Sequence, residues 1–365
     1  MSKPEATGPS RSGVGGTRGA FTLRSPKDAR PVEEPWDGRR PRRGATVLVL
    51  CACLAALVLG AGLLVTWVQT ERGREEVSRA RLVAGNETPI AHNGHTYVLN
   101  EDLVRIAFIG FDGRYQQEGA AGQADVVMVV AIDVRDGKVS GVVIPRDSMV
   151  SVDAYSGGAF AGRVTQQIAL QYAYGDGSEQ SSALVAQAAS RVLNDLPIDY
   201  YLTLNLYGVA SLNDAVGGVS LEPVASVPGT DIVAGEQIRL EGEDAYQYIH
   251  WRQVEGAGSL DSSIERQRRQ VQYLNAFMAQ AMRAAGEDAA LLDRLYQTAL
   301  ENGWSDLGAE EYAYLARAML TSGVSGVDVR QLSGQMRAGA LYSEYYLDEE
   351  AALECVLDVF YRQVG

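Results

Sequence analysis

The stretch Ala124–Ser148, ADVVMVVAIDVRDGKVSGVVIPRDS, decides the architecture. Its first part, Ala124–Val134, reads as a buried strand, and Asp136-Gly137 supplies a hairpin turn into a second run, Val139–Ile144. Pro145 then ends ladder hydrogen bonding, and Arg146 and Asp147 follow with opposite full charges. Two readings stand at this point. Either PRD is a turn carrying a solvated ion pair, or a strand delivers an arginine to the mouth of a site.

The neighbouring sequence extends the pattern to α/β. Upstream, Leu103–Gly110, LVRIAFIG, is another buried-strand candidate, ending in Gly110-Phe111-Asp112. Downstream, helical periodicity runs over Thr165–Tyr174 and Gln180–Leu193. Pro197–Leu206 alternates like a strand, and Leu212–Val216 before Gly217-Gly218 resembles a helix with its glycine stop. An Arg/Gln-rich helix is predicted over Ile264–Ala285, beginning near Asp261. From Asp288 onward, amphipathic helices surround a short strand candidate at Val327–Leu332.

Toward the N-terminus the composition changes. Ala45–Val68 is an uncharged run of 24 residues, long enough at ~1.5 Å per residue to cross a ~30 Å hydrocarbon core. Residues 1–44 hold ten Lys/Arg against five Asp/Glu, a net +5, which leaves −19 beyond the run for a whole-chain charge of −14. Positive-inside then predicts a single-pass cell-membrane protein with the N-terminus cytoplasmic and the large C-terminal part extracellular. The expected organisation is a disordered basic tail (1–44), a transmembrane helix (45–68), a polar stem (69–101) and one domain (102–365), with a helical extension from about 288. Cys51 and Cys53 fall in the apolar run and Cys355 stands alone beyond it, so no disulfide framework is expected there. The acidic domain argues against a nucleic-acid partner.

Two charged groupings carry candidate chemistry. Asp112 and Asp125 sit at the ends of neighbouring strand candidates, where paired carboxylates repel unless a cation lies between them. A hard divalent ion takes oxygen ligands, often one or two carboxylates plus substrate phosphates. A turn residue and a strand cap explain the same pair more plainly, and spacing leaves both readings open. In His250–Gln270, HWRQVEGAGSLDSSIERQRRQ, Arg266, Arg269 and Gln270 share neighbouring helix faces, with Arg252 beyond a Gly-containing loop. Guanidinium forks match phosphate oxygens, while a solvated charged face is the alternative.

The segments RIAFIGFDGR, GQADVVMVVAID, GVVIPRDSMV, IALQYAYGDG, LPIDYYLTLNLYGVASLNDAVGGVSL and DSSIERQRRQ, over about Arg105–Met282, resemble the LytR-CpsA-Psr family in order and spacing. The ending YYLDEEAALECVLDVFY is similar to the tail of longer, clostridia-like members. The resemblance implies a three-layer α-β-α sandwich around a mixed central sheet. It also implies a phosphotransferase that moves a glycan-1-phosphate from a polyprenyl-pyrophosphate carrier to a peptidoglycan acceptor, attaching teichoic-acid-like polymers to the cell wall.

Residue by residue, the resemblance makes Asp112 and Asp125 the ligands of Mg²⁺ (or Mn²⁺). Arg146, Arg252, Arg266, Arg269 and Gln270 would form the pyrophosphate pocket. Arg146 and Arg252 act there in catalysis with Asp261, which matches the signature's aspartate and is the candidate base for the incoming hydroxyl; His250 is a second. Asp147 would orient its neighbour. Val127, Val129, Ile144, Ile168, Tyr172, Tyr200 and Leu202 are candidates to line a lipid tunnel, with ordinary core packing as the other explanation. Three positions depart from the family pattern. Gln123 stands for an arginine, His250 for the first arginine of R-x-R, and Gln167 for a lysine. Each such loss removes a contact worth roughly 1.5–3 kcal/mol, for which Arg114, Arg163 or Arg268 could compensate. A non-catalytic binder of lipid-linked glycan and a polyprenyl-pyrophosphate hydrolase are the alternative functions.

Overall fold

The valine-rich runs become the middle of a six-stranded mixed sheet. The computed structural model describes residues 67–84, 88–111, 113, 121–251, 259–288, 290–324, 326–339 and 343–364. In chain order the first elements are α1 (Trp67–Ala84), β1 (Ile90–His92), β2 (His95–Leu99), β3 (Leu103–Phe111), β4 (Ala124–Asp133) and β5 (Val139–Ile144). A hairpin of β6 (Met149–Ser156) and β7 (Ala159–Gln167) leads into a 3₁₀ turn, Ile168–Tyr174. Then come α2 (Glu179–Val192), β8 (Tyr200–Asn205), α3 (Gly208–Ala215), β9 (Val219–Leu221), β10 (Ile238–Leu240), α4 (Glu243–His250) and α5 (Ser259–Glu287). The chain closes with α6 (Ala290–Glu301), β11 (Gly303–Ser305), α7 (Ala309–Ser322), β12 (Asp328–Gln331), β13 (Gly334–Ala338), β14 (Ser343–Leu347), α8 (Glu349–Phe360) and β15 (Tyr361–Gln363).

The sheet order is β11-β8-β3-β4-β5-β12. β3 pairs antiparallel with β4 and parallel with β8, while β5 pairs antiparallel with β4 and parallel with β12. Helices cover both faces, so β3 and β4 are buried almost throughout and read as unbroken apolar runs. Val104, Ile106 and Phe108 of β3 join a core with Leu274 and Phe277 of α5, Leu292 of α6 and Met319 of α7. On the opposite face, Ile109 and Phe111 join Tyr172, Val185 and Ala188 of α2, and Val356 and Phe360 of α8. A buried ion pair ties β3 to β8. Arg105 donates from Nε and Nη2 to the two carboxylate oxygens of Asp199 at 2.9 Å each, and its backbone N–H adds a third bond at 2.7 Å.

Several expectations change. Helical periodicity is expected from Thr165, but Thr165–Gln167 pair with Ser151, Val150 and Met149 as the end of β7, and the turn begins only at Ile168. The polar stretch Gln69–Glu101 supplies most of α1 and both strands β1 and β2, and β2 pairs with the C-terminal β15. Helix α1 lies against α7 so closely that a Cβ on Gly73 would stand 2.1 Å from the backbone oxygen of Glu310. Among the described residues no helix is long and apolar enough to cross a membrane, which overturns the expected single-pass cell-membrane placement. Of the run Ala45–Val68, only Trp67 and Val68 are described, as the start of α1, whose next turns carry Arg72, Arg74, Glu75 and Glu76. The remaining residues of that run, and the whole basic tail, lie outside the described residues.

Candidate active site

Strands β3 and β8 end, and β4 begins, at the edge of the sheet where β5 delivers its proline. The pairing of Phe111 with Ala124 and with Asn205 fixes this edge. Pro145 accepts a hydrogen bond from Ser148 N at 2.9 Å, so PRDS is a closed turn. The 3₁₀ segment clamps it: Ile168 N donates to Ser148 O and Ala169 N to Arg146 O. The turn is therefore a rigid mount, and it presents Arg146 sideways along the edge.

Arg146 crosses to β4. Its Nη1 donates to the carboxylate of Asp125, and its Nη2 donates to Gln123 Oε1 at 2.8 Å. Asp125 is buried and most of the guanidinium is covered, so the pair is held in a low-dielectric setting where each charge depends on the other. Asp147 lies 3.5 Å from Arg146 Nε and accepts from Gln167 Nε2 at 3.1 Å. Of the two readings of PRD, a solvated ion pair does not fit, because the guanidinium is largely covered and bound to Asp125 and Gln123. Gln123 and Gln167, which stand for basic residues in the family pattern, act here as neutral braces on Arg146 and Asp147. Their place in the sequence showed the departure but not the partner.

Asp112 and Arg114 lie outside the described residues, but Phe111 and Gly113 bracket Asp112. A Cβ on Gly113 would stand 2.3 Å from Asn205 Nδ2, so any larger residue at 113 would displace the Asn205 side chain at the end of β8. Asn205 is a structural member of this edge that sequence reasoning missed.

A second group forms around α5. Arg269 is fully buried. Its Nε donates to Tyr248 O at 2.8 Å and its Nη2 to Trp251 O, while the guanidinium lies 5.5 Å from the Trp251 ring centroid. Gln270 Nε2 donates to Ile249 O at 3.3 Å. Both side chains thus bind carbonyls at the end of α4, groups that a helix terminus leaves without intrahelical partners. Burial raises the Tyr248 phenol, and the Val224 amide and Arg269 pull it partly back. His250 is buried and stacked on Tyr246, ring centroids 4.6 Å apart. Arg266 is also buried, whereas Arg268 is exposed. Arg252 and the side chain of Asp261 lie outside the described residues.

The lipid-tunnel candidates divide between the faces of the sheet. Val127, Val129, Ile144, Ile168 and Tyr172 belong to the α2 side, while Tyr200 and Leu202 belong to the α5 side. A single tunnel therefore cannot include all seven, because alternate residues of a strand point to opposite faces. Burial drives the Tyr172 phenol far above its ordinary range, and its hydroxyl donates to Gly177 O at 2.9 Å. Arg163, a candidate to compensate for missing arginines, is bound to Asp153 at 2.8 Å.

Comparison with known proteins adds to this geometry. The model of the LytR_cpsA_psr family matches residues 69–357. The chain is 28% identical over 174 residues to the polyisoprenyl-teichoic acid–peptidoglycan teichoic acid transferase TagU of Halalkalibacterium halodurans, covering 47% of this chain and 52% of that protein. It is 30% identical over 210 residues to TagU of Oceanobacillus iheyensis, covering 55% and 60%. The matches thus span between half and three-fifths of these curated relatives. The crystal structure of TagV from B. subtilis superposes with a TM-score of 0.54 at 22% identity, over 71% of this chain and 96% of that one, a likeness of fold.

Proposed function

Because the chain belongs to the LytR-CpsA-Psr family, we propose that it is a phosphotransferase that moves a glycan-1-phosphate from a polyprenyl-pyrophosphate carrier to peptidoglycan. The observation that carries this reading is Arg146, fixed by Asp125 and Gln123 at the sheet edge. Phosphoryl transfer asks chiefly for positioning and for cations that spread charge over the phosphate oxygens, and a guanidinium on a rigid turn meets both needs. Relatives named as teichoic acid transferases support the substrate class.

Among the described residues no cluster of three or more His, Cys, Asp or Glu could hold a metal. Asp125, with Asp112 next after Phe111 in the sequence, would be the oxygen donors for Mg²⁺ or Mn²⁺ completed by phosphate oxygens. Such an ion would supply positive charge to the pyrophosphate. Arg252 and Arg266 would share that task with Arg146. Asp261 would accept the proton of the incoming sugar hydroxyl. Arg269 and Gln270 would keep the end of α4 in place, and through it the start of the segment that carries Arg252.

One observation favours a second reading, a non-catalytic binder of lipid-linked glycan. Gln123 and Gln167 brace Arg146 and Asp147 where the family pattern has basic residues, so the edge carries less positive charge. A single assay separates the readings. The protein is incubated with a synthetic polyprenyl-pyrophosphate disaccharide, Mg²⁺ and peptidoglycan oligomers, beside an Arg146→Ala variant, and mass spectrometry reads the products. Glycan-phosphate on the acceptor, lost in the variant, supports transfer. Released glycan-phosphate without acceptor marks a hydrolase, and bound but unchanged substrate marks a binder.

A further inference from the structure

A concave site lies at the end of β8 opposite the Arg146 edge. Tyr200 and Tyr201 begin that strand and Asn205 ends it beside Phe111, a separation of about 17 Å at about 3.3 Å per residue. Here a pocket of about 480 Å³ opens between α2, β7, the start of β8 and Asp306. Its lining includes small and aromatic groups, Ala183 and Ala186 of α2 and Tyr201 of β8. Gln187, Ser190 and Arg191 follow on the same helix face at i+4, i+7 and i+8 from Ala183.

The rim is polar and fixed. Asp153 is buried and binds Arg163 Nε at 2.8 Å and Arg191 Nη2 at 3.0 Å. Gln171 locks Asp153 in turn, accepting from its N–H at 2.7 Å and donating to its carbonyl at 3.1 Å. Opposite, Asp306 accepts from Tyr201 N at 2.6 Å and stays open toward the pocket. Two guanidinium groups, Arg163 and Arg191, and two carboxylates, Asp195 and Asp306, thus line the pocket together, while the buried Asp153 binds both guanidiniums from outside the lining. A phosphate would face Asp195 and Asp306, and a simple cation would face Arg163 and Arg191, so neither charge is well served. An uncharged molecule dense in hydroxyl groups is. Carboxylate and guanidinium edges bond pairs of hydroxyls, and the alanine and tyrosine lining accepts the apolar face of a sugar ring.

We propose that this pocket binds an uncharged oligosaccharide. The proposal rests on the chemistry of the pocket and not on the transfer reaction, so either can fail alone. The probe is chitotetraose, followed by saturation-transfer NMR and calorimetry on the full chain. The expected result is saturable binding, weakened about tenfold or more (about 1.4 kcal/mol) by Ala186→Trp, which crowds the lining. Gln187→Ala, at an exposed position that leaves the fold intact, weakens it in the same direction. Inorganic phosphate and trigalacturonate do not compete. Absence of binding, binding indifferent to both substitutions, or tighter binding of trigalacturonate overturns the proposal.

Discussion

Arg146 on the turn after β5 reaches across the sheet edge to Asp125 at the start of β4, and Gln123, two residues before Asp125, takes the other arm of the same guanidinium. The two bonds fix the arginine in plane and keep a buried carboxylate neutralised. Arg146→Ala removes the partner of Asp125 and is expected to destabilise the fold by about 3 kcal/mol, the cost of stranding one member of a largely buried pair. Replacing both, as Arg146→Met with Asp125→Leu, is expected to recover most of that stability without restoring activity. Denaturant unfolding beside the transfer assay separates the two effects.

Arg105 and Asp199 make a purely structural counterpart at the other end of the sheet. The side chains are almost fully buried and joined by two parallel bonds. Asp199→Ala is expected to cost about 3–5 kcal/mol, read as a lower urea midpoint. A loss below about 1 kcal/mol contradicts the assignment.

The central strands were legible because β3, β4 and β5 are buried on both faces, which forces long apolar runs bounded by turn residues. The β6–β7 hairpin was not. Ala159–Gln167, AFAGRVTQQ, is mostly exposed and lacks a clean alternation, so its last residues merged with the apolar spacing of Ile168–Tyr174. Helix α1 was hidden for a related reason: it buries Val77 and Gly73 against α7, a contact between positions far apart in the chain. In the site, the residue types were readable but their partners were not. Nothing local says that Arg269 turns inward to the carbonyls of Tyr248 and Trp251, or that Tyr200 and Leu202 face away from Val127 and Val129.

Arg269 acts as a cap on α4, so its fork should matter as much as its charge. Arg269→Lys keeps the charge but loses the paired donors on Tyr248 and Trp251. The expected loss is about 2 kcal/mol, with a red shift in tryptophan emission as Trp251 loses the guanidinium stacked on it. An unchanged melting temperature and emission spectrum contradict this role.

Asp306 gives a pH signature. Partial desolvation at the pocket wall raises its carboxyl from 3.8 to about 6, against the opposing pull of the Tyr201 amide. The folded chain therefore holds this proton more tightly than the unfolded chain, and its contribution to stability falls as pH rises from about 4 to about 6. Asp306→Asn keeps an acceptor for Tyr201 and removes the titration. The variant's stability relative to wild type is expected to rise across that window and then level off. Because the residue remains open to water, screening limits the change to about 1 kcal/mol. A difference that is flat with pH, or that falls, contradicts the shift.

The most direct test of the central claim is the affinity of the Arg146 edge for pyrophosphate itself. Calorimetry with a short, soluble prenyl pyrophosphate, with and without Mg²⁺, compares wild type, Arg146→Ala and Arg135→Met, the last an exposed arginine on the β4–β5 turn at the far end of β4. Binding is expected to strengthen with Mg²⁺ and to weaken about tenfold or more in Arg146→Ala alone, the loss of one charge-assisted contact. Equal affinity in wild type and Arg146→Ala, with the variant folded, would contradict it.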